Sequence, residues 1–217
     1  MGFFIETLLS DPFTYISWVG VVAFSICFHE YAHASMAYKL GDDTAALLGH
    51  MSLNPMVQMG PSSLIMLLLF GIAWGSVPVN PRHIRGRSAQ ATVSLAGPAS
   101  NLLLCLIFAG LAAGLAAFTG NAFGGSLIGQ VLVTGAVANG VLCFFNMLPI
   151  PMLDGWAVFG LFIPQMKQMN PMQARNVSWI FIMLVFLTPL GGLVWGIGTF
   201  VANSIMIGWY RLFALFV

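Results

Sequence analysis

Long apolar runs with almost no charge are the feature that most constrains how this chain can fold. A helix needs about 20 mainly apolar residues to cross a bilayer. Runs of roughly that kind cover about residues 13–38, 89–118, 127–148, 176–190 and 193–215, with a shorter one at 61–77. Only 6% of the 217 residues are charged and 59% are hydrophobic, whereas a soluble domain carries about 25% charged residues. We therefore predict an all-α polytopic membrane protein with about five transmembrane helices and one re-entrant segment.

The basic residues predict how these segments cross the membrane. They are Lys39, Arg82, Arg85, Arg87, Lys167, Arg175 and Arg211. Cytoplasmic loops are rich in Lys and Arg. All seven residues can lie on that side only if segment 61–77 enters and leaves the membrane on the same side. Re-entrant backbone is tolerated only beside protein or water, so we expect 39–60 and 61–77 to border a cavity. The net charge of +1 gives nucleic-acid binding no electrostatic support.

A second feature is the motif His29-Glu30-x-x-His33 inside the first apolar run. On a helix, this spacing brings both imidazoles to one face, one turn apart, which suits two ligands of a zinc ion. The glutamate between them can take a proton from an attacking water and give it to the leaving amine. Ionisable residues inside a span mark functional sites. The motif therefore predicts a catalytic metal centre with Glu30 as general base.

A catalytic zinc needs a third protein ligand and an open position. His50, His83 and Asp154 are the candidates. Asp154 is favoured because it is the only carboxylate in the second half of the chain. Pro149 and Pro151 break the preceding helix, so the broken segment can bring this carboxylate to the cavity. His50 stays a secondary candidate, and we expect His83 to be a polar loop residue.

Five short motifs carry a resemblance to a known family. They are HEYAHA at 29–34, GHMSLNP at 49–55, VPVNPR at 77–82, GPASN at 97–101 and NMLPIPMLDG at 146–155. Together they resemble the site-2 protease family of intramembrane zinc metalloproteases, in its compact bacterial and archaeal branch without PDZ or CBS domains. The resemblance covers about residues 20–160 and implies a catalytic core of three spans. We expect one metalloprotease domain over 1–217, with its catalytic core at about 13–160 and a helical hairpin at about 176–215.

The resemblance also implies roles for individual residues. It implies one Zn²⁺ per chain held by His29, His33 and Asp154, and a catalytic role for Asn146. Independently of the resemblance, a buried amide can donate a hydrogen bond to an oxyanion, although Asn146 could equally join two helices. Weaker candidates for substrate binding or structural support are Gly97, Asn101, His50 and Asn54, the first two also suiting interhelical packing.

These features predict an intramembrane zinc endopeptidase that cleaves transmembrane segments of membrane-protein substrates in the lipid bilayer of a prokaryotic cell. Its active site should lie nearer the cytoplasmic face. A helical substrate must unwind before cleavage, and the stretch 39–60 could pair with it as an added strand. The rival class is non-enzymatic, a divalent-metal transporter or a metal-binding membrane scaffold. A zinc-dependent amidase or lipid hydrolase, or an inactive relative, are further alternatives.

Overall fold

The computed structural model describes residues 4–84, 86, 88–163, 165–166 and 169–217, which are mostly helical and contain no β-strand. A short 3₁₀ turn, Phe4–Glu6, precedes ten α-helices in this part of the chain. These are α1 (Thr7–Ser10), α2 (Pro12–Lys39), α3 (Thr44–Leu47), α4 (Pro55–Gln58), α5 (Gly60–Phe70), α6 (Ala89–Thr119), α7 (Leu127–Asn146), α8 (Asp154–Phe159), α9 (Pro171–Leu187) and α10 (Leu190–Phe213). The prediction of an all-α polytopic membrane protein is confirmed.

Four of the described helices, α2, α6, α7 and α10, are long and apolar enough to cross a membrane. The fifth predicted span corresponds to α9, whose 17 residues rise about 25 Å, somewhat less than a hydrocarbon core of about 30 Å. Helix α5 has 11 residues and rises about 16 Å, so it cannot cross. Arg85, Arg87 and Lys167, used in the charge pattern, lie outside the described residues.

Local sequence explains where the long helices begin and end. Helix α2 starts at Pro12, and the Asp11 side chain caps it by accepting from the Thr14 amide at 3.1 Å. Proline suits the first helical turn, where its missing N–H is no loss. Helix α6 ends at Thr119, and Gly120 caps it with a left-handed φ of 69°, a conformation that favours glycine at that position.

Helices α2, α6 and α7 pack together, and α10 packs on the α6–α7 pair. The residues between α2 and its neighbours are Val21, Val22, Ile26, Cys27, Met59, Leu67 and Ala138, and those around α10 are Cys105, Ala109, Ala112, Ala136, Ala202 and Met206. Small residues let these helices approach closely. A Cβ on Gly140 would lie 2.7 Å from the carbonyl oxygen of Gly198, so α7 and α10 touch at their backbones.

Residues 72–80 follow α5 as an irregular, extended segment. The Ser63 hydroxyl contacts both the carbonyl oxygen and the amide of Trp74, at 2.6 and 2.8 Å. Further along, the Ser76 amide donates to the carbonyl oxygen of Gln58 at 3.0 Å, and the Asn80 amide donates to Asp42 at 2.6 Å. The segment is therefore fixed at several points. The stretch 39–60, expected as a candidate strand, instead contains the short helices α3 and α4.

Candidate metal centre

The structure brings His29, His33 and Asp154 together. The histidines lie one turn apart on α2 and are each 7% exposed, and Asp154 is the first residue of α8. The two Nε2 atoms are 2.9 Å apart. Asp154 Oδ2 lies 3.1 Å from Nε2 of His29, and Asp154 Oδ1 lies 3.2 Å from Nε2 of His33. Three potential ligand residues from two distant parts of the chain thus converge.

The outer nitrogen of each ring reveals its tautomer. His33 Nδ1 lies 2.8 Å from the carbonyl oxygen of Val93, and His29 Nδ1 lies 2.5 Å from Oδ1 of Asn101. Both oxygens can only accept, so each Nδ1 carries the hydrogen and donates it. In the neutral ring each Nε2 therefore presents its lone pair to the centre of the group, as a metal-binding histidine does.

This donor set fits a zinc ion. Two imidazole lone pairs and a carboxylate within about 3 Å of one another repel unless a positive charge, a metal ion or a proton, lies among them. Two histidines and one carboxylate form the usual ligand set of a catalytic zinc, which leaves a fourth position open. The histidine rings cannot relieve the repulsion by exchanging tautomers, because Val93 and Asn101 hold the protons on Nδ1.

Glu30 follows the first histidine and lines a cavity of about 490 Å³. Its side chain is 7% exposed, and its carboxylate has no hydrogen bond or ion pair from another described residue. Gly75, in the extended segment, faces it so closely that a Cβ there would overlap the Glu30 Cγ and meet its Oε1 at 2.5 Å. The carboxylate is thus confined beside the metal group and open to the cavity.

The last turn of α7 and the loop after it complete the cavity. Asn146 lines the cavity, but its Nδ2 donates to the carbonyl oxygen of Leu142 at 3.0 Å. This bond is within one helix, and among the described residues Asn146 makes no side-chain hydrogen bond to a second helix. In the loop, Met152 has a left-handed φ of 72°, and Asp154 follows two residues later.

Two glycines allow the ligands to approach one another. A Cβ on Gly97 of α6 would overlap His33 Nε2 and lie 2.5 Å from Cε1 of His29. A Cβ on Gly155 would overlap the carbonyl oxygens of Met147 and Leu148. Gly97 therefore has a direct steric role against both histidines, and Gly155 allows α8 to pack against the loop that delivers Asp154.

The other candidates lie elsewhere. Asn54 caps α4 by accepting from the Met56 amide at 2.9 Å. The buried His50 Nδ1 has no hydrogen-bond partner among the described residues, and the residue does not line the cavity. His83 lies 3.4 Å from Asp42, as a polar loop residue. Asn101, by contrast, contacts a proposed ligand directly.

A second acidic group has a structural explanation. Asp42, Asp43 and His83 come within metal-binding distance of one another, but the Asp42 carboxylate already accepts from the backbone amides of Thr44 and Asn80 and from the Thr44 hydroxyl. Burial opposes ionisation of Asp42, but these hydrogen bonds outweigh it and hold its pKa below the ordinary value. The group therefore ties the loop at residue 80 to the end of α2.

Three residues near the metal centre were not predicted from the sequence. Asn139 and Ser25 are fully buried and connect to Asn101, and Gly75 faces Glu30. Asn139 could have been identified from the sequence, because it is a polar residue inside an apolar span. It also lies seven residues, two helical turns, before Asn146. No sequence pattern marks Gly75, since its role depends on a contact with a distant helix.

Comparisons with known proteins agree with this chemistry. Residues 18–190 match the sequence model of Peptidase family M50. Three bacterial relatives share the name "Putative zinc metalloprotease", followed by YwhC or Rip2. YwhC of Bacillus subtilis (strain 168) is 36% identical over 178 residues, which cover 80% of each chain.

The Rip2 proteins are more distant. Rip2 of Mycolicibacterium smegmatis is 29% identical over 84% of this chain and 73% of its own. Rip2 of Mycobacterium tuberculosis (strain H37Rv) is 31% identical over 80% of this chain and 68% of its own. No solved structure matches the chain. The chain therefore belongs to peptidase family M50, the site-2 protease family, and is a membrane-bound zinc metallopeptidase.

Proposed function

We propose that this protein hydrolyses peptide bonds of membrane-protein substrates inside the bilayer, with Glu30 as general base. The observation that carries the proposal is the convergence of His29, His33 and Asp154, with both Nε2 lone pairs directed at the carboxylate. These three residues would hold one zinc ion. Zinc bound there would supply Lewis-acid activation of a water molecule and of the peptide carbonyl.

The protein's own groups perform the proton transfers. Glu30 borders the cavity beside the ligands, where it accepts a proton as water attacks the carbonyl carbon. It then returns that proton to the nitrogen of the leaving peptide segment. Gly75 leaves room for the carboxylate in this position, because a Cβ there would overlap the Glu30 side chain.

Asn146 is the proposed donor to the oxyanion. Its amide lines the same cavity and bonds to a carbonyl at the end of its own helix. That bond can be exchanged at little cost for one to a developing negative charge, which is stronger. A hydrogen-bond donor to the oxyanion contributes about 10²- to 10³-fold to the rate of such reactions.

The depth of the motif supports cleavage within the membrane. His29 lies ten residues before the end of α2 at Lys39, which is about 15 Å along the helix. A helical substrate reaching that depth must expose a peptide bond, so its helix has to unwind locally. The extended segment 72–80 runs beside the cavity and offers backbone groups that could pair with an unwound chain.

The same end of the molecule carries basic residues. Lys39 ends α2, and Arg82 follows Asn80, whose amide bonds to Asp42. Because such residues concentrate in cytoplasmic loops, we propose that the cavity opens nearer the cytoplasmic face. The named relatives are bacterial, so the proposed setting is a bacterial cell membrane.

Metal analysis of detergent-purified protein tests the ligand set without any substrate. Wild type and Glu30→Gln should each retain about one zinc per chain, and Asp154→Ala should lose it, because two histidines alone bind zinc weakly. His50→Ala is the matched control and should keep its zinc. Full retention of zinc in Asp154→Ala would mean that the third ligand is another residue.

Proteolysis needs a separate test. Membranes from cells producing wild type or Glu30→Gln are compared for new protein termini by mass spectrometry. Termini inside transmembrane segments should appear only with wild type. A metal transporter, the rival class, would give no such termini, and Glu30→Gln would instead change metal uptake into vesicles.

A further inference from the structure

A chain of buried hydrogen bonds starts at His29 and returns to the same helix. His29 Nδ1 donates to Asn101 of α6, whose Nδ2 donates to Oδ1 of Asn139 of α7 at 2.9 Å. Asn139 Nδ2 then donates to Ser25 Oγ at 2.9 Å, and Ser25 lies one turn before His29 on α2. Asn101, Asn139 and Ser25 are all 0% exposed. The chain thus links all three core helices.

The direction of every bond in this chain follows from one backbone atom. Asn139 Nδ2 also lies 2.9 Å from the carbonyl oxygen of Gly135, which can only accept. The nitrogen of the Asn139 amide must therefore face Gly135, and its oxygen must face Asn101. Asn101 in turn must present its nitrogen to Asn139 and its oxygen to His29.

The last step fixes the proton on His29. An oxygen facing Nδ1 requires Nδ1 to carry the hydrogen, which leaves the lone pair on Nε2. A flipped Asn101 would present its NH₂ group to Nδ1 and favour the tautomer whose Nε2 is protonated and cannot bind a metal. His33 has no such dependence, because a backbone carbonyl holds its Nδ1.

From this geometry we infer that Asn139 is a positioning residue for the metal centre, with Ser25 as its second anchor. Asn139 acts through Asn101 to hold His29 in the tautomer and orientation that bind zinc. The inference rests on the proposed zinc ligation by His29. If Asn139 only held the helices together, replacing it would lower the stability of the protein but would leave its affinity for zinc unchanged.

The experiment measures zinc affinity by competition with a chelator, using full-length protein in detergent. Asn139→Ala removes the acceptor for Asn101 and should raise the Kd for zinc about 10- to 100-fold, the usual size for a group supporting a metal ligand. Ala136→Gly is the control. Ala136 is fully buried on the same helix, and its replacement destabilises α7 without removing any member of the hydrogen-bond chain. Its Kd should stay at the wild-type value.

Two further variants test the direction of the bonds. Asn139→Asp keeps an oxygen for Asn101 and, when protonated, a donor for Gly135, so zinc affinity should recover most of the way to the wild-type value. Ser25→Ala removes only one of the two acceptors of Asn139 and should weaken zinc binding measurably, but less than Asn139→Ala does. With Co²⁺ in place of zinc, the visible absorption of Asn139→Ala should change, because the His29 ligand is lost or reoriented.

The outcomes separate the inference from the proposed function. If Asn139→Ala binds zinc as tightly as Ala136→Gly, the positioning role is wrong even if both proteins are less stable. Equal loss of affinity in Asn139→Asp would contradict the directional argument. Should Asn139→Ala fail to fold, unchanged affinity in Ser25→Ala would overturn the inference. Zinc retention by Asp154→Ala would instead indicate that the proposed ligand set itself is wrong.

Discussion

At the residue scale, the two histidines of the metal centre are fixed by groups of different kinds. A backbone carbonyl, that of Val93, accepts from His33, whereas the side chain of Asn101 accepts from His29. A carbonyl in a helix cannot rotate, but a side-chain amide can. The orientation of His29 therefore depends on further side chains, and that of His33 does not.

The contact between Gly75 and Glu30 gives a first prediction. In Gly75→Ala the new methyl group overlaps the glutamate side chain, so the carboxylate must shift from its present position in the cavity. Peptide hydrolysis should fall about 100-fold, the usual effect of a 1 Å misplacement, while zinc content stays at the wild-type level. Gly20→Ala is the control, since nothing lies within 4 Å of its Cβ. Equal activity in the two variants would contradict this role of Gly75.

Asp42 gives a pH-dependent prediction. Burial disfavours its charge, but hydrogen bonds from Thr44 and Asn80 hold its pKa below the ordinary value. A lowered pKa means that the ionised group stabilises the fold above about pH 3.9 and that this contribution is lost as the pH falls through the lower, folded value.

Asp42→Asn should therefore melt about 2–10 °C below wild type at pH 7, because a buried carboxylate that accepts from several donors is replaced. The difference between the two melting temperatures should shrink below about pH 4. Thermal unfolding in detergent at several pH values measures it. A difference that stays constant down to pH 3 would show that ionisation of Asp42 contributes nothing.

At the scale of elements, the break between α7 and α8 places the third ligand. Helix α7 ends at Asn146, the prolines at 149 and 151 prevent its continuation, and α8 starts with Asp154. The Ser178 hydroxyl of α9 donates to the carbonyl oxygen of Pro151 at 2.5 Å. The loop is therefore anchored from a neighbouring helix as well as by its own turns.

Gly155→Ala tests this arrangement. The added methyl group would overlap two loop carbonyls, so α8 must shift, and Asp154 at its first position shifts with it. We expect a loss of about 1–3 kcal/mol of stability from overpacking and weaker zinc binding. Gly196→Ala, on α10 with no atom within 4 Å of its Cβ, should instead gain about 0.5–1 kcal/mol and bind zinc normally. Normal zinc binding by both variants would show that Gly155 is not needed to place the ligand Asp154.

The parts that sequence predicted well are those that depend on short-range patterns. The i, i+4 spacing of His29 and His33 holds on any regular helix, and apolar runs locate α2, α6 and α7 within two residues at each end. The pairing of Asn101 with His29 depends on how two helices pack, which no local pattern encodes. The extended segment at 72–80 was missed for the same reason, because its conformation depends on contacts with Gln58 and Asp42.

At the scale of the whole molecule, the direction of crossing can be measured. Asn121, between α6 and α7, should lie outside, and Arg82 should lie in the cytoplasm. In intact cells, Asn121→Cys should react with an impermeant maleimide, and Arg82→Cys should react only after lysis. The natural Cys27 and Cys105 are buried and Cys143 is half-buried, so the parent protein should give little signal. Reaction of Arg82→Cys in intact cells would show that the protein crosses the membrane in the opposite direction.

Zinc should also stabilise the whole fold. The three ligands come from α2 and α8, far apart in the chain, so a shared ion binds only the folded form. At a zinc concentration 1,000 times the Kd, binding adds about 4 kcal/mol, which corresponds to a rise of about 8–16 °C in Tm. A chelator should remove this rise in wild type and in Glu30→Gln. Asp154→Ala should show none, and an equal rise in that variant would place the stabilising zinc elsewhere.

The glycines around the centre have a consequence for tolerance to mutation. At Gly75, Gly97 and Gly155 even a methyl group overlaps a neighbouring atom, although none of the three carries a reactive group. A saturation screen for activity should thus find these positions as intolerant of all other amino acids as the ligands themselves. Natural variants that add one carbon there would be loss-of-function alleles, while Gly20 and Gly196 would accept many replacements.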